Sequence, residues 1–363
     1  MMIFLILVFG CYIILMLVLL YGWERALTPL KLGNSDLKSI TVIVPVRNEE
    51  ENLERIFQSC NALNYPAEKL EIIFVNDHSS DNSVKLLQDS NFTIINQLQE
   101  KHGKKDAISF GIANSKSEII VTTDADCTHH PDWLQSINLL FQNPHTQLVV
   151  GSVAMRRMNS FFDRLQSIEF SSLIGSGAAL LQFQIPAMAN GANLAFRREA
   201  FLEVDGYIGN EHIPSGDDEY LLRKIFSTYP EGVVFNNQSN AVVETKPQSS
   251  IRSFFKQRIR WAGKWKHQTS TKLKILAFIV FFFQMFFLTM LYLFIAKSNR
   301  EITLLLLTKV AMEGIFLWRV CLFLQTKFSL MAFMLLQLLY PVYVIVTAIT
   351  SLIVPVDWKD RKS

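Results

Sequence analysis

Four long apolar runs bracket a polar middle, and that distribution constrains the chain more than any other feature. Met1 to Gly22 is nearly free of charge, and Ile275 to Ala296, Ile302 to Leu324 and Ser329 to Val356 are three more such runs. Each is near the ~20 residues that a membrane-spanning helix needs. Half of the 363 residues are hydrophobic and 18% are charged, which is too apolar for an ordinary soluble protein and too charged for one wholly in lipid. The expected organisation is a transmembrane anchor over 1–24, a soluble domain over 38–247, an amphipathic interface segment over 248–272, membrane helices over 273–356 and a polar tail over 357–363.

The first run lacks a basic leader and ends in Tyr21-Gly22-Trp23-Glu24-Arg25 rather than in small residues, so it reads as a retained anchor and not as a cleaved signal. Basic residues gather just before the second run, at Arg252, Lys256, Arg258, Arg260, Lys264, Lys266, Lys272 and Lys274. That cluster reads as a patch on a cytoplasmic membrane surface, and with Lys31 and Lys38 it puts the soluble domain inside. A net charge of +3 is too small to suggest nucleic acid. Three complete C-terminal spans would put Lys359, Arg361 and Lys362 outside. Lys309, Glu313 and Arg319 also make Ile302 to Leu324 costly in lipid, so this run is a span or a re-entrant, interfacial or bundle-buried segment, and the number of crossings stays open. Cys11 and Cys321 lie in apolar runs, and Cys60 and Cys127 are far apart, which argues for a reducing compartment without a disulfide framework or a zinc-ligand spacing.

Within the soluble domain, strand-like and helix-like segments alternate. Ile40 to Val46, Leu70 to Val75, Phe92 to Asn96 and Glu118 to Thr123 read as strands, separated by helical stretches at Asn48 to Leu63, Ser80 to Gln88 and Lys104 to Asn114. Alternation of this kind implies an α/β fold, a parallel sheet with helices on both faces. Beyond it, Pro131 to Phe141 reads as a helix, Gln147 to Ala154 as one strand, and Ser160 to Phe183 as a long helix. Ligands of such sheets sit beyond the carboxyl ends of the strands. Polar clusters fall at those ends: Pro45 and Arg47-Asn48-Glu49, then Asn76-Asp77-His78, then Asp124-Ala125-Asp126.

Two acids either side of a small residue at a strand end suit a hard divalent cation, with diphosphate oxygens and water completing its shell. Asp77 falls on the same edge, suited to accept an N–H from a nucleobase. Lys104 and Lys105 open the next helix, where basic groups and a helix N-terminus favour phosphate, although Lys105 reads as a solvent residue. Gln257, Arg260 and Trp261 are spaced i, i+3 and i+4 and so share one helix face. Asn190-Gly191-Ala192-Asn193 reads either as a tight turn into a strand at Leu194 to Arg197 or as a wall of a sugar pocket. His78, His102, His129, His130 and His212 have no metal-ligand spacing, although His129 and His130 neighbour the acid pair.

The ordered set ITVIVPVRNEEENL, VNDHSSDNS, HGKKDAI, TTDAD, MANGANLAFRREAF, SGDDEYLLRK and QRIRW resembles family 2 glycosyltransferases of the GT-A fold. It covers nearly the whole soluble domain. The membrane segments are similar in general character to those of polysaccharide synthases and ceramide glucosyltransferases. The fold this implies is a GT-A, Rossmann-like, doubly wound mixed sheet flanked by transmembrane helices. The resemblance implies that Asp77 reads the base, Asp124 lies near uridine and ribose, and Asp126 holds Mg²⁺ or Mn²⁺. It implies that Asp218 is the general base, with Asp217 in reserve because it stands where the family's motif has Glu. It further implies that Gln257, Arg260 and Trp261 close over the diphosphate and acceptor end. Pro45, Arg47, Glu49, Lys104 and Asn193 complete the expected substrate contacts.

The activity expected is single inverting transfer of a sugar from a nucleotide donor, UDP foremost, to a lipid or growing polysaccharide acceptor. The setting would be the inner (plasma) membrane, with accessory membrane subunits compatible as partners. The competing reading is a non-catalytic, membrane-anchored nucleotide-sugar-binding scaffold or an accessory subunit of a polysaccharide export complex.

Overall fold

The computed structural model describes residues 2–29, 36–156, 158–210, 216–264, 270–297 and 300–353. Lys31, His212, Trp265, Lys266 and the polar tail lie outside the described residues. The chain divides into two compact units, one of residues 27–156 and 188–246 and the other of residues 1–26, 157–187 and 247–363. The first is an α/β unit and the second is built from long helices. The long helical stretch after residue 157, read in the sequence as part of the soluble domain, groups with the apolar helices.

The α/β unit is built on β1 (Ile40–Val46), β2 (Leu70–Asn76), β3 (Thr93–Asn96), β4 (Ile119–Thr122), β5 (Leu148–Val150), β7 (Leu194–Arg197) and β8 (Val233–Phe235). They form one seven-stranded sheet in the order β3-β2-β1-β4-β7-β5-β8. β1 to β4 are parallel, β7 runs antiparallel to both β4 and β5, and β8 runs parallel to β5. The sheet is therefore mixed, as expected. Helices α2 (Glu50–Asn61), α3 (Ser83–Gln88) and α4 (Lys104–Asn114) connect the first four strands, and the last matches its sequence boundaries residue for residue. Gly111 lets α4 approach β1 closely, because a Cβ there would meet Ile43 at 2.8 Å. Ile43, Phe74 and Val121 are at most 1% exposed. Burying each such side chain stabilises by roughly 1.5–3 kcal/mol.

The single strand expected over Gln147 to Ala154 is two. β5 stays in the main sheet, while β6 (Val153–Met155) pairs with β9 (Val243–Thr245) in a separate two-stranded ribbon. The break falls at Gly151-Ser152, and Asn193 explains it. A Cβ on Gly151 would lie 2.2 Å from the Asn193 carboxamide carbon, and the Ser152 carbonyl accepts from Asn193 Nδ2 at 2.7 Å. Helix α5 (Trp133–Leu140) buries Trp133 completely. Short helices α7 (Arg198–Glu203) and α8 (Asp217–Thr228) complete the unit.

The helical unit comprises α1 (Met2–Ala26), α6 (Phe161–Leu181), α9 (Ile251–Gly263), α10 (Thr271–Lys297), α11 (Arg300–Phe323) and α12 (Leu330–Ile353). Three of them are long and apolar enough to cross a membrane, over Leu5–Ala26, Thr271–Ala296 and Leu330–Ile353. The chain is accordingly a membrane protein. Helix α11 carries the charges that made its run ambiguous, and the structure partners them. Lys309 Nζ donates to Glu313 at 3.0 Å and to Gln337 Oε1 of α12 at 2.7 Å. Gln337 Nε2 donates to Glu313 at 2.7 Å, and the Tyr12 hydroxyl of α1 donates to the same carboxylate. Arg319 pairs with Glu24 of α1 at 2.7 Å. Such a network makes the bundle-buried reading of this helix physically sound, since paired and hydrogen-bonded charges escape most of the penalty of low dielectric.

Removing one partner is costlier than removing the charge of both. Lys309→Met is expected to destabilise the detergent-purified protein by about 3 kcal/mol. Lys309→Met combined with Glu313→Gln should recover most of that loss, since the amide still accepts from Tyr12 and Gln337. Thermal unfolding of the three proteins checks it, and a double variant no better than the single one would refute a charge-pairing role.

Candidate active site

The carboxyl edge of the parallel strands carries a loop lattice built from side chains that accept backbone N–H groups. After β1, Asn48 adopts φ +51°, and its Oδ1 accepts from the Ser80 N–H at 2.8 Å. Glu49 N–H donates to Ser83 Oγ at 2.8 Å, and Glu50 N–H to Asp81 at 3.2 Å. The loops after β1 and β2 are thereby fixed to one another. Pro45 is the half-buried penultimate residue of β1.

Asp77, directly after β2, is 1% exposed, and both carboxylate oxygens accept from the Gly103 N–H at 3.2 Å. Arg47 Nη1 lies 3.9 Å from the carboxylate and donates to the Asp77 carbonyl at 3.2 Å. Burial pushes the Asp77 carboxyl above its ordinary value, and the Gly103 N–H and Arg47 oppose this. The sequence suggested that Asp77 and Asp124 would be neighbours, but β1 separates their strands. The start of α4 joins them instead. Gly103, at φ +106° in the cap, presents its N–H to Asp77, while the next residue, Lys104, pairs with Asp124 at 2.5 Å.

Lys104 is the centre of the site. Its ammonium also lies 4.0 Å from Asp217 Oδ2. Burial would pull its pKa down, but Asp124, Asp217 and Asp218 outweigh that and hold it well above the ordinary lysine value. The two acids from α8 enter through Gly216, whose φ of +86° starts the helix in the left-handed region. That puts Asp217 and Asp218 in the first turn, where the helix dipole favours negative charge. Asp217 is 7% exposed. Asp218 is less buried and is held by two backbone donors, Gly191 N–H at 3.1 Å and Glu219 N–H at 2.8 Å. Glycine at 191 leaves room for this approach, since a Cβ would stand 3.1 Å from Lys104 Nζ and 3.4 Å from Asp217. The buried Tyr207 also senses both acids, its hydroxyl pKa raised by burial and by Asp217 and Asp218.

Asp126 faces a different set. Burial, then the negative charges of Asp124 and Glu49, push its carboxyl above the ordinary range. Thr245 Oγ1 reaches Asp126 Oδ2 at 3.4 Å. Arg55 donates at 2.6 Å to the Asp126 carbonyl, and Asn52 Nδ2 donates to Glu49 at 2.7 Å. Cys127 Sγ also stands 3.5 Å from Asp126 Oδ1, but the charged neighbours are the carboxylates of Asp124 and Glu49, and the three acids repel one another. That is the chemistry a divalent cation with phosphate co-ligands relieves, so Mg²⁺ or Mn²⁺ fits Asp126.

The structure gives three expected or neighbouring residues other uses. Asn193, expected against substrate, is 2% exposed. Its Oδ1 accepts from Trp133 Nε1 at 3.0 Å, and its Nδ2 donates to the carbonyls of Ser152 and Ala241 at 2.7 and 2.8 Å. It is a scaffold bracket, and Gly191 is the residue of that turn that faces the acids. The turn itself is as read, with Asn190 Oδ1 accepting from Ala192 N–H at 3.0 Å. His129 is held between Ser59 and Thr123, at 3.0 and 2.8 Å, and stacks on Trp133. Burial lowers its pKa to about 3, so it is a neutral framework group. Lys105 donates to the Asn210 carbonyl, away from any phosphate role.

In the helical unit, Gln257, Arg260 and Trp261 all lie on α9, as their spacing requires. The dominant residue there is one whose place in the basic cluster suggested a membrane surface. Arg258 is 3% exposed, pairs with Glu169 of α6 at 2.5 Å, and is stacked between Phe254 and Trp261 at 4.7 and 4.2 Å from the ring centroids. Gln257 accepts from Arg258, and the Tyr343 hydroxyl donates to Glu169. The sequence signal was Glu169, an acid set in the partly apolar stretch Ser160 to Phe183.

Residues 41–205 match the family Glycosyl transferase family 2. Among curated proteins, the poly-β-1,6-N-acetyl-D-glucosamine synthase of Staphylococcus aureus (strain COL) is 29% identical over 235 residues, 62% of this chain and 54% of that protein. The synthase of Staphylococcus epidermidis is 27% identical over 241 residues, 64% of this chain and 56% of its own. The chain thus spans about half the length of the curated relatives it matches. A mannosyltransferase from Pyrobaculum calidifontis, solved in complex with GDP-Man and Mn²⁺, superimposes with a TM-score of 0.56 at 18% identity. The superposition covers 98% of this chain and 99% of that one. At such identity the likeness establishes the fold, which is the GT-A fold the sequence pattern implied.

A carboxyl whose pKa is raised on folding costs stability above that folded pKa, and the cost vanishes as pH falls through it. Asp126→Asn is therefore expected to raise Tm near neutral pH in metal-free buffer, with the gain disappearing in acid. The same variant should lose the stabilisation that Mn²⁺ confers on the parent. Thermal melts across pH, with and without Mn²⁺, decide it. A variant less stable than the parent at neutral pH would contradict the electrostatic account.

Proposed function

We propose that this chain, with its family 2 glycosyltransferase domain beside membrane helices, transfers a hexose from a nucleotide sugar to a membrane-borne acceptor, with inversion at the anomeric carbon. The observation that carries the reading is the convergence of Asp124, Asp217 and Asp218 on the Lys104 ammonium, with Asp126 alongside as a buried acid of raised pKa. A scaffold would have no need to hold so many acids against their mutual repulsion.

In this reading Asp77 accepts an N–H of the base, with Arg47 and Pro45 bordering the same pocket. Asp124 lies toward the ribose, and Glu49 adds to the negative field at Asp126. Mg²⁺ or Mn²⁺ held by Asp126 would supply charge stabilisation on the departing diphosphate. Asp218 takes the proton of an acceptor hydroxyl as that oxygen bonds to the anomeric carbon. The bond from that carbon to the diphosphate oxygen breaks, the electron pair leaves with the diphosphate, and Lys104 pairs with the charge that develops. Asp217 stays paired with Lys104 and sets its position. Gln257, Arg260 and Trp261 belong to the helical unit, and their roles toward diphosphate and acceptor rest on their motif alone.

The donor class is UDP-sugar, with UDP-N-acetylglucosamine the first candidate because the staphylococcal relatives are named for that sugar. The acceptor is a lipid or a growing glycan. The catalytic unit would face the cytoplasm, where the basic side chains before α10 would meet anionic lipid at the inner membrane. Accessory membrane subunits are compatible as partners.

The test is release of UDP or GDP by detergent-purified protein with Mn²⁺ or Mg²⁺ and membrane lipid extract. The donors to compare are UDP-glucose, UDP-N-acetylglucosamine, UDP-galactose and GDP-mannose. One donor should turn over in a metal-dependent way, and product size then separates single transfer from elongation. Asp218→Asn should lower kcat by roughly 10²–10⁴-fold, the range for a lost general base, with donor affinity little changed. Near-normal turnover in Asp218→Asn with none in Asp217→Asn would reassign the base. Absence of both turnover and donor binding in folded protein would sink the nucleotide-sugar reading.

A further inference from the structure

A second group of potential ligands lies on the nucleotide side of the sheet edge, away from the acid pair. Asp77, His78 and His102 each offer one ligand atom, and these atoms lie within 4.8 Å of one another. No sequence spacing announces the group. His78 follows β2, whereas His102 precedes the glycine cap of α4, and the fold brings their ring centroids to 4.5 Å.

Two features prepare His78 for a metal. Its Nε2 lies 3.1 Å from the Lys101 carbonyl oxygen. A carbonyl can only accept, so the proton sits on Nε2 and Nδ1 keeps its lone pair. Metal-binding histidines are oriented in just this way, by donating the other ring N–H to a carbonyl or carboxylate. The backbone of His78 also has φ +55°, a conformation that non-glycine residues rarely adopt and that gathers at ligand sites. Asp77 is already fixed by the Gly103 N–H. Two imidazoles among three ligands disfavour hard Mg²⁺ and favour a metal that prefers nitrogen.

We propose that Asp77, His78 and His102 form a second cation site, selective for a nitrogen-preferring transition metal such as Zn²⁺, and that its occupancy excludes the nucleotide. Three protein ligands with a water in the fourth position make a known zinc arrangement. The inhibitory consequence rests on the reading of Asp77 as the base acceptor, because a cation on that carboxylate draws off its negative charge and takes the space of the base N–H. The two cation sites differ in donor chemistry. Asp126 sits beside the carboxylates of Asp124 and Glu49, where Mn²⁺ or Mg²⁺ would activate, whereas Zn²⁺ at the histidines would inhibit.

The experiment uses the full detergent-purified chain, freed of any histidine tag, and titrates Zn²⁺ calorimetrically. The parent and Asp126→Ala should bind Zn²⁺ alike, while His78→Ala and His102→Ala should each weaken it at least tenfold. Exposed His102 is the safer substitution for folding. Equal affinity in the His78→Ala/His102→Ala double variant, or loss of the site in Asp126→Ala, would overturn the assignment. The second arm measures UDP binding in Mn²⁺ with and without Zn²⁺. Zn²⁺ should raise the apparent Kd for UDP about tenfold in the parent and leave His102→Ala unchanged. Zn²⁺ bound through the histidines with no effect on UDP would refute the competition and remove Asp77 from the base pocket. Failure of UDP to bind at all would count against the nucleotide reading and leave the metal titration to be judged alone.

Discussion

The Lys104 ammonium is the constraint on which the catalytic edge depends. Three carboxylates, Asp124, Asp217 and Asp218, come from two distant parts of the chain and would repel one another without it. The lysine reaches them because α4 begins where Gly103 caps it, with the same glycine N–H holding Asp77. One helix start thus couples the acid expected at the base with the acids expected at the reacting sugar. A positive side chain at a helix N-terminus also adds to the field of the unpaired N–H groups there, so the place is electrostatically prepared for a diphosphate. In the proposed reaction, incoming phosphate competes with Asp124 for that ammonium, which ties donor binding to the arrangement of the acids.

What the sequence discloses about this edge follows from what is local. Alternating strand and helix signals located β1 to β4 and α4 within a residue or two, because buried parallel strands and capped helices carry their signals in consecutive residues. The same holds for β7, whereas the four apolar runs mark α1, α10, α11 and α12 with ends that differ by up to four residues. The acids Asp77, Asp124, Asp126, Asp217 and Asp218 were identifiable as types in a pattern. Their partners were not, because pairing is a property of strand order. That β1 stands between β2 and β4 separates Asp77 from Asp124, and nothing within either motif reports it.

The misreadings have one physical origin, a long-range contact overriding a local preference. Gln147 to Ala154 has the composition of one strand, but the Asn193 side chain fills the space beside Gly151 and takes the Ser152 carbonyl, so the chain changes sheets there. Asn193 itself looked like a pocket residue because a polar carboxamide in a glycine-containing turn is ambiguous until its three hydrogen bonds are counted. Arg258 was hidden among basic neighbours in an amphipathic segment. Only the structure pairs it with Glu169 and flattens it between Phe254 and Trp261, and that pairing fixes which face of α9 turns inward within the helical unit.

A buried Arg–carboxylate pair such as Arg258–Glu169 is weak evidence for stability, since desolvation offsets much of the attraction. Its stronger effect is on geometry: a guanidinium held by a carboxylate and two aromatic faces permits one rotation of α9 and disfavours others. Gln257 and Trp261, which both touch Arg258, are thereby fixed as well. The charges of α11 act in the same way, since Lys309 and Glu313, one turn apart on α11, both meet Gln337 of α12. Within this unit, then, polar groups set the register of helices whose apolar surfaces alone would allow many. In the α/β unit the same expense is placed at the ligand edge, where Asp126 is held with a raised pKa that folding does not relieve. Burial that specifies a packing is satisfied by the protein itself, whereas burial that leaves a carboxylate pressed against like charges is satisfied only by a ligand, and that difference separates the structural ionisable groups of this chain from the functional ones.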